Sequence, residues 1–246
     1  MTWVGTVEGR VVDERGEALP DERVGLCGAT CFGSNTRSDG RFSVHADFCF
    51  PTSREYPQGA VFDVYGLGYR PDVSIGFNPR ELASLEHVSL GDVRLPGLFG
   101  APSVPVPGAA DPAQRLELSD GFALTIAPGS LELGFHSLER LSAVRVAPVD
   151  LPPFRGRDQS GVIAFYAITP SGARCRVPAG LSLPNDTGLA AGAEVDFVMV
   201  GEPRVGDVLP PGSIGVVGKG HVTPDGRAVV ADHGLPFLGW VGYRAP

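Results

Sequence analysis

The sequence predicts an all-β protein built of two β-sandwich-like domains. Apolar residues come in short runs of β-branched or alternating character, the signature of half-buried strands. Between the runs, 34 glycines and 23 prolines are spread along all 246 residues as turn punctuation. Asp-Gly pairs flanked by strand-type residues stand at Asp39-Gly40, Asp120-Gly121 and Asp225-Gly226, and such pairs are the strongest short hairpin signal. With 43% hydrophobic against 20% charged residues, the chain has enough apolar surface to offset the entropy of ordering it.

The first strand is the run carrying Val7, Val11 and Val12, and it stops at Asp13-Glu14-Arg15-Gly16. Glycine at that point supplies the positive φ that a turn demands. A second run starts at Val24, and Thr36-Arg37 and Phe42-Ser43-Val44 flank the Asp39-Gly40 turn. The run AVFDVYGLGYRP at 60–71 alternates as a strand. A helix start follows: Asn78 can cap, Pro79 loses no needed N–H, and Glu81 can reach back. That helix is short, near 79–86, because HVSLGDVRL at 87–95 returns to strand alternation and closes a first domain of residues 1–95. Residues 96–115 carry five prolines and almost no charge, the composition of an extended linker.

The pattern G-x-V-x-D-x-x-G-x-x-L, continued by V-x-L and S-D-G-R-F-S-V, resembles the carboxypeptidase regulatory-like domain, a small transthyretin-like β-sandwich. Gly9, Val11, Asp13, Gly16, Leu19, Val24, Leu26, Asp39, Gly40, Arg41 and Phe42 carry the resemblance. It implies a non-catalytic folding and interaction module.

Beyond the linker, 116–131, 141–150, 161–185, 193–200 and 213–234 again read as strands and turns, giving a second domain over 116–246. TIAPGSL (125–131), VAPVDLPP (146–153), the 168–197 stretch, VGKGHVTPDGRAVV (217–230) and Gly239-Trp240 follow one another in an order similar to plug-like β-domains of bacterial YD-repeat and teneurin-like surface and toxin proteins. That resemblance implies a β-sandwich with a structural part in a larger assembly. No shell of YD repeats is present in these 246 residues.

Several chemistries find no support. The net charge is −8 and no basic run exceeds two residues, which argues against nucleic acid. Lys219 is the only lysine. LPGLFGAPSVPVPGAA (95–110) is too broken by proline to span a membrane. Ser130 lacks a nucleophile elbow, and GVVGKGHV (215–222) lacks phosphate-loop spacing and reads as a glycine-tolerant strand. Asp13, Glu14, Glu17, Asp21 and Glu22 lack the alternation of a calcium loop. Phe135-His136-Ser137 has the wrong order for an autoproteolytic site. No catalytic residue, cofactor or metal is therefore expected.

Candidate sites remain. Counting outward from Asp39-Gly40 with a three-residue loop sets Cys31 opposite Cys49, within disulfide reach; buried reduced thiols are the equal alternative. Zinc on Cys27-x3-Cys31 ranks below both, having no second ligand pair. His221 and His233 could face each other across the Asp225-Gly226 hairpin, with strand-end histidines the plainer reading. Phe237, Trp240 and Tyr243 form an aromatic cluster that serves either as a contact surface or as core.

The expected role is a structural or adhesive module of a bacterial surface or secretion-related assembly, docking on a protein partner or on the remainder of a larger polypeptide. The alternative is a carbohydrate-binding module using exposed aromatics; an enzyme ranks third. Nothing at the amino terminus resembles a signal peptide. The expected compartment is the cytoplasm if Met1 is the natural start, and the cell surface or exterior if it is not.

Overall fold

A computed structural model of the chain describes residues 1–52, 60–65, 74–77, 86–97, 101–118, 121–132, 140–147, 161–201, 205, 207–209 and 213–246, with 60–65 and 74–77 described by backbone alone. It is all-β, and no α-helix occurs among the described residues. Up to residue 85, the short helix expected near 79–86 lies outside them. The chain divides into two compact units, one centred on Met1–Phe99 and taking in Val200–Ile214, the other comprising Gly100–Pro148, Gln159–Met199 and Gly215–Pro246.

Among the described residues the first unit has two sheets. One is β4-β1-β7, in which β1 (Thr2–Val12) lies between β4 (Arg41–Phe50), antiparallel to it, and β7 (His87–Arg94), parallel to it. The other is β3-β2-β5-β6, built from β2 (Arg23–Gly28), β3 (Cys31–Asn35), β5 (Ala60–Tyr65) and β6 (Ser74–Phe77) in antiparallel pairs. The sheets meet through aromatic rings: Phe32 on β3 lies 5.7 Å from Phe48 and 5.9 Å from Phe50 on β4. Val4, Val7, Val11, Phe42, Val44, Val88 and Val93 fill the same core.

The opening motif closes this unit by local hydrogen bonds. Asp13 Oδ1 accepts the N–H groups of Arg15 (2.9 Å) and Glu17 (2.8 Å), and Gly16 takes φ 84°, an Asx-type turn that glycine completes without a Cβ clash. Thr36 is buried and joins two loops: its hydroxyl accepts the Glu22 N–H at 2.9 Å and donates to the Leu19 carbonyl at 2.6 Å. Gly40, at φ 77°, accepts the Val11 N–H at 2.8 Å.

Asp39-Gly40 makes a tight turn, but the strands beside it belong to different sheets. The Arg37 N–H donates to the Arg41 carbonyl at 2.9 Å, after which β3 pairs with β2 and β4 with β1. The signal thus gave the right turn and the wrong partnership, because a turn residue fixes the reversal but not which edge is free.

In the second unit one sheet runs β8-β12-β13-β19-β15-β16-β17-β14-β10-β9. Its strands are β8 (Ser103–Pro105), β9 (Gln114–Glu117), β10 (Ala123–Ile126), β12 (Arg140–Val146), β13 (Val162–Thr169), β14 (Arg174–Pro184), β15 (Glu194–Val200), β16 (Ile214–Val222), β17 (Ala228–Ala231) and β19 (Trp240–Arg244). Short β11 (Leu131–Glu132) and β18 (Leu235–Phe237) pair with β14 off that path. The end strands β8 and β9 lie against each other, so the sheet curls into a nearly closed barrel where a two-layer sandwich was expected. Twist accumulated over many strands favours such closure. The stretch read as a linker also supplies β8 and the first two residues of β9; proline, here Pro105 of β8, tolerates an end strand, where no ladder N–H is needed. The turns at Gly121 (φ 93°) and Gly226 (φ 73°) join paired strands, β9 with β10 and β16 with β17.

Candidate functional site

Period-two alternation on β4-β1-β7 sends valines and phenylalanines inward and a polar set outward. The cross-strand register fixes the rows: Thr6 is flanked by His45 and His87, Glu8 by Ser43 and Ser89, and Arg10 by Arg41 and Asp92. Bulges adjust each pairing. Asp47 takes φ 43° near the shift between Val4 and Thr6, and Gly91 takes φ 65° within the shift between Glu8 and Arg10. A bulge of this kind turns the strand locally and re-aims neighbouring side chains.

These outward residues line an open cleft of about 520 Å³, whose walls include Glu8, Arg10, Arg37, Arg41, Ser43, His45, Ser89 and Asp92. Its size falls within the roughly 300–1,000 Å³ of ligand sites, but its lining is polar. His87 Nε2 lies 3.1 Å from Glu8 Oε1. His45 is held at both ring nitrogens, by the Thr6 hydroxyl (3.1 Å) and the Ser43 hydroxyl (3.2 Å). Arg10 lies 3.8 Å from the Asp92 carboxylate and donates from Nε to the Asp39 carbonyl at 3.0 Å. Arg41 approaches Asp39 only to 3.7 Å, and both side chains are more than half exposed. Further along the same face, beyond His45, stand Trp3, 45% exposed, and its cross-strand neighbour Cys49.

Sequence reading did not find this cleft. The alternation of Thr6, Glu8 and Arg10, and of Arg41, Ser43 and His45, shows that each strand has a polar face. What joins the faces is the β4-β1-β7 order, including a parallel pair between residues some eighty positions apart, which no local pattern encodes.

The expected Cys31–Cys49 disulfide is replaced by another. Cys27 bonds to Cys31 across the β2–β3 pair, where the two are register partners with Cα atoms 4.1 Å apart. Cys49 is free and exposed, its Sγ 3.7 Å from Met1 Sδ. Alternation explains this: Phe32 and Phe48 point into the space between the sheets, so their neighbours Cys31 and Cys49 point to opposite outer faces. Cys175 is free and buried, and burial pushes its thiol up to about 12.

Phe237, Trp240 and Tyr243 are each fully buried, which is the core alternative of their reading and rules out the contact surface. Tyr243 keeps its hydroxyl satisfied by donating to the Pro184 carbonyl at 3.0 Å and accepting the Asp186 N–H at 3.2 Å. His221 and His233 do not face each other: Val230 is opposite His221, whose Nδ1 lies 2.6 Å from Asp232 Oδ1. Lys219 reaches Asp196 at 2.5 Å, and that hydrogen bond, with the carboxylate's charge, raises its pKa above the usual range. Gly220 between them is required by contact, since a Cβ there would stand 2.5 Å from the Phe197 ring. Ser130 is a buried turn residue donating to the Ala127 carbonyl at 2.8 Å. Among the described residues no group of three or more His, Cys, Asp and Glu could hold a metal ion, and no helix is long and apolar enough to cross a membrane.

No family model matches the chain, and no curated protein does. Among solved structures it is similar to a chain from Bacteroides uniformis named a "putative carbohydrate binding protein", at 8% identity and a TM-score of 0.22, covering 98% of this chain and 79% of that one. At that score the likeness carries no argument about fold or ligand.

Proposed function

We propose that the chain is a non-catalytic interaction module of a bacterial surface or secretion-related assembly, docking on a protein partner through the outer face of β4-β1-β7. The observation that carries this reading is the composition of that face: exposed Trp3 at one end and Arg10, Arg37 and Arg41 at the other, around a polar cleft. Tryptophan and arginine are the residues most enriched where partner proteins anchor. The resemblances over 7–44 and 116–246 to assembly modules of bacterial surface proteins support the setting. The saccharide alternative drew on Phe237, Trp240 and Tyr243, which are buried and offer no platform for stacking.

The test is affinity capture from the source organism with wild-type protein, Trp3→Ala, Arg41→Glu and, as a control on the second unit, Val216→Ser. One protein held by wild type and by the control, and lost by the two face variants, is the expected result. Retention by all four would overturn the assignment of this face.

A further inference from the structure

Three arginines stand in one row at the end of the cleft. Arg10 on β1 is the register partner of Arg41 on β4, and the Arg41 carbonyl accepts the backbone N–H of Arg37 across the turn. Like charges directly opposite one another across a strand pair are destabilising. Arg10 offsets this through its Asp92 ion pair and its hydrogen bond to the Asp39 carbonyl, which leaves Arg37 and Arg41 as the less compensated charges of the row. Carboxylates nearby compensate it unevenly. Glu8 is engaged by His87 and Asp92 by Arg10, whereas Arg41 has only the exposed 3.7 Å pair with Asp39, and no side-chain hydrogen bond or ion pair of Arg37 occurs among the described residues.

Resting on the docking reading above, we infer that the partner binds with an acidic segment, its carboxylates received by Arg37 and Arg41. The guanidinium is a planar fork that takes a carboxylate bidentately; among the described residues Arg37 has no ion pair and Arg41 only the exposed one with Asp39. Ser43 and Ser89 add polar groups to the cleft wall in the next row, and Trp3 offers apolar contact for the flanking part of the segment. The chain's net charge of −8 does not forbid this. At physiological salt, exposed charges farther than about 8 Å are largely screened, so a bound carboxylate feels the three arginines together with Glu8, Asp39 and Asp92 and not the distant acidic residues. A saccharide bearing carboxylates would meet the same two forks, but the exposed tryptophan-and-arginine composition favours protein.

The experiment is a fluorescence-anisotropy titration of the full chain with a labelled eight-residue peptide of alternating Glu and Leu. Its Glu→Gln counterpart and a labelled oligogalacturonate are run beside it. The Glu peptide should bind, the Gln peptide at least about tenfold more weakly, and Arg37→Glu/Arg41→Glu should reduce binding by a similar factor or more. The melting temperature of Arg41→Glu should stay level or rise, because a carboxylate would then face Arg10 in place of a like charge; a residue serving only the fold would not separate binding from stability in that way. Equal binding of Glu and Gln peptides, indifference to the double variant, absence of peptide binding, or binding of the oligogalacturonate alone would each overturn the inference. If captured partner is lost by Trp3→Ala yet kept by Arg37→Glu/Arg41→Glu, acidic recognition fails while docking through this face stands; if it is kept by both, the face itself is misassigned.

Discussion

The Phe42 ring occupies the space that a side chain on Gly9 would need: a Cβ at Gly9 would stand 2.8 Å from Phe42 Cζ and 2.9 Å from the Gly91 carbonyl oxygen. Both residues belong to the opening motif and both line the cleft, so one contact ties the fold to the proposed docking face. Gly9→Ala should destabilise the first unit by about 1–3 kcal/mol, the usual cost of overpacking a close contact, measured by urea unfolding. Gly16→Ala meets nothing within 4 Å but sits at φ 84°, and should cost about 1–2 kcal/mol through backbone strain alone.

Thr36 is the buried joint between the turn before β2 and the turn before β4. Thr36→Val keeps the shape and removes the hydroxyl, leaving the Glu22 N–H and the Leu19 carbonyl without that partner. A loss of about 1–3 kcal/mol is expected for groups stranded in this way. Serine at the same position should restore most of it, with both variants compared by thermal unfolding.

These two positions also show what could be read before the structure. Asp13, Gly16, Asp39 and Gly40 announce turns because turn chemistry is local, and β1, β2, β7 and the hairpins at Gly121 and Gly226 follow from the same reasoning. Pairing is not local. Nothing near Cys31 says that its partner is Cys27, or that Cys49 lies on another sheet's outer face; that depends on Phe32 and Phe48 meeting between the sheets. Prolines between 96 and 115 suggested a linker, although proline is also compatible with an end strand such as β8, which ends on Pro105. Trp240 and Tyr243 looked available as aromatics at the end of the sequence, but strand pairing on both sides of β19 places them in the core.

The cysteines make a chemical prediction. Without reductant, a thiol reagent should label Cys49 in the native protein and reach Cys175 only on unfolding, by mass spectrometry of the labelled peptides. Burial raises the Cys175 thiol from 9.0 to about 12, so between those values the unfolded state gives up a proton that the folded state keeps. Stability from this group is complete below pH 9 and declines as pH rises toward 12, by about 1.4 kcal/mol per pH unit. The upward shifts of Tyr243, from burial, and Lys219, from its Asp196 hydrogen bond, have the same sign. Cys175→Ala should therefore have a flatter alkaline stability profile than wild type, whatever its stability at neutral pH.

The most direct test of the docking face is a nitrogen-15 NMR titration of the full chain with the alternating Glu-Leu peptide. Perturbations should concentrate on the backbone amides of Glu8, Arg10, Arg37, Arg41, Ser43, Ser89 and Asp92, and should disappear in Arg37→Glu/Arg41→Glu. Perturbations gathered on the second unit, or an unchanged spectrum at millimolar peptide, would contradict the claim that this cleft receives an acidic partner.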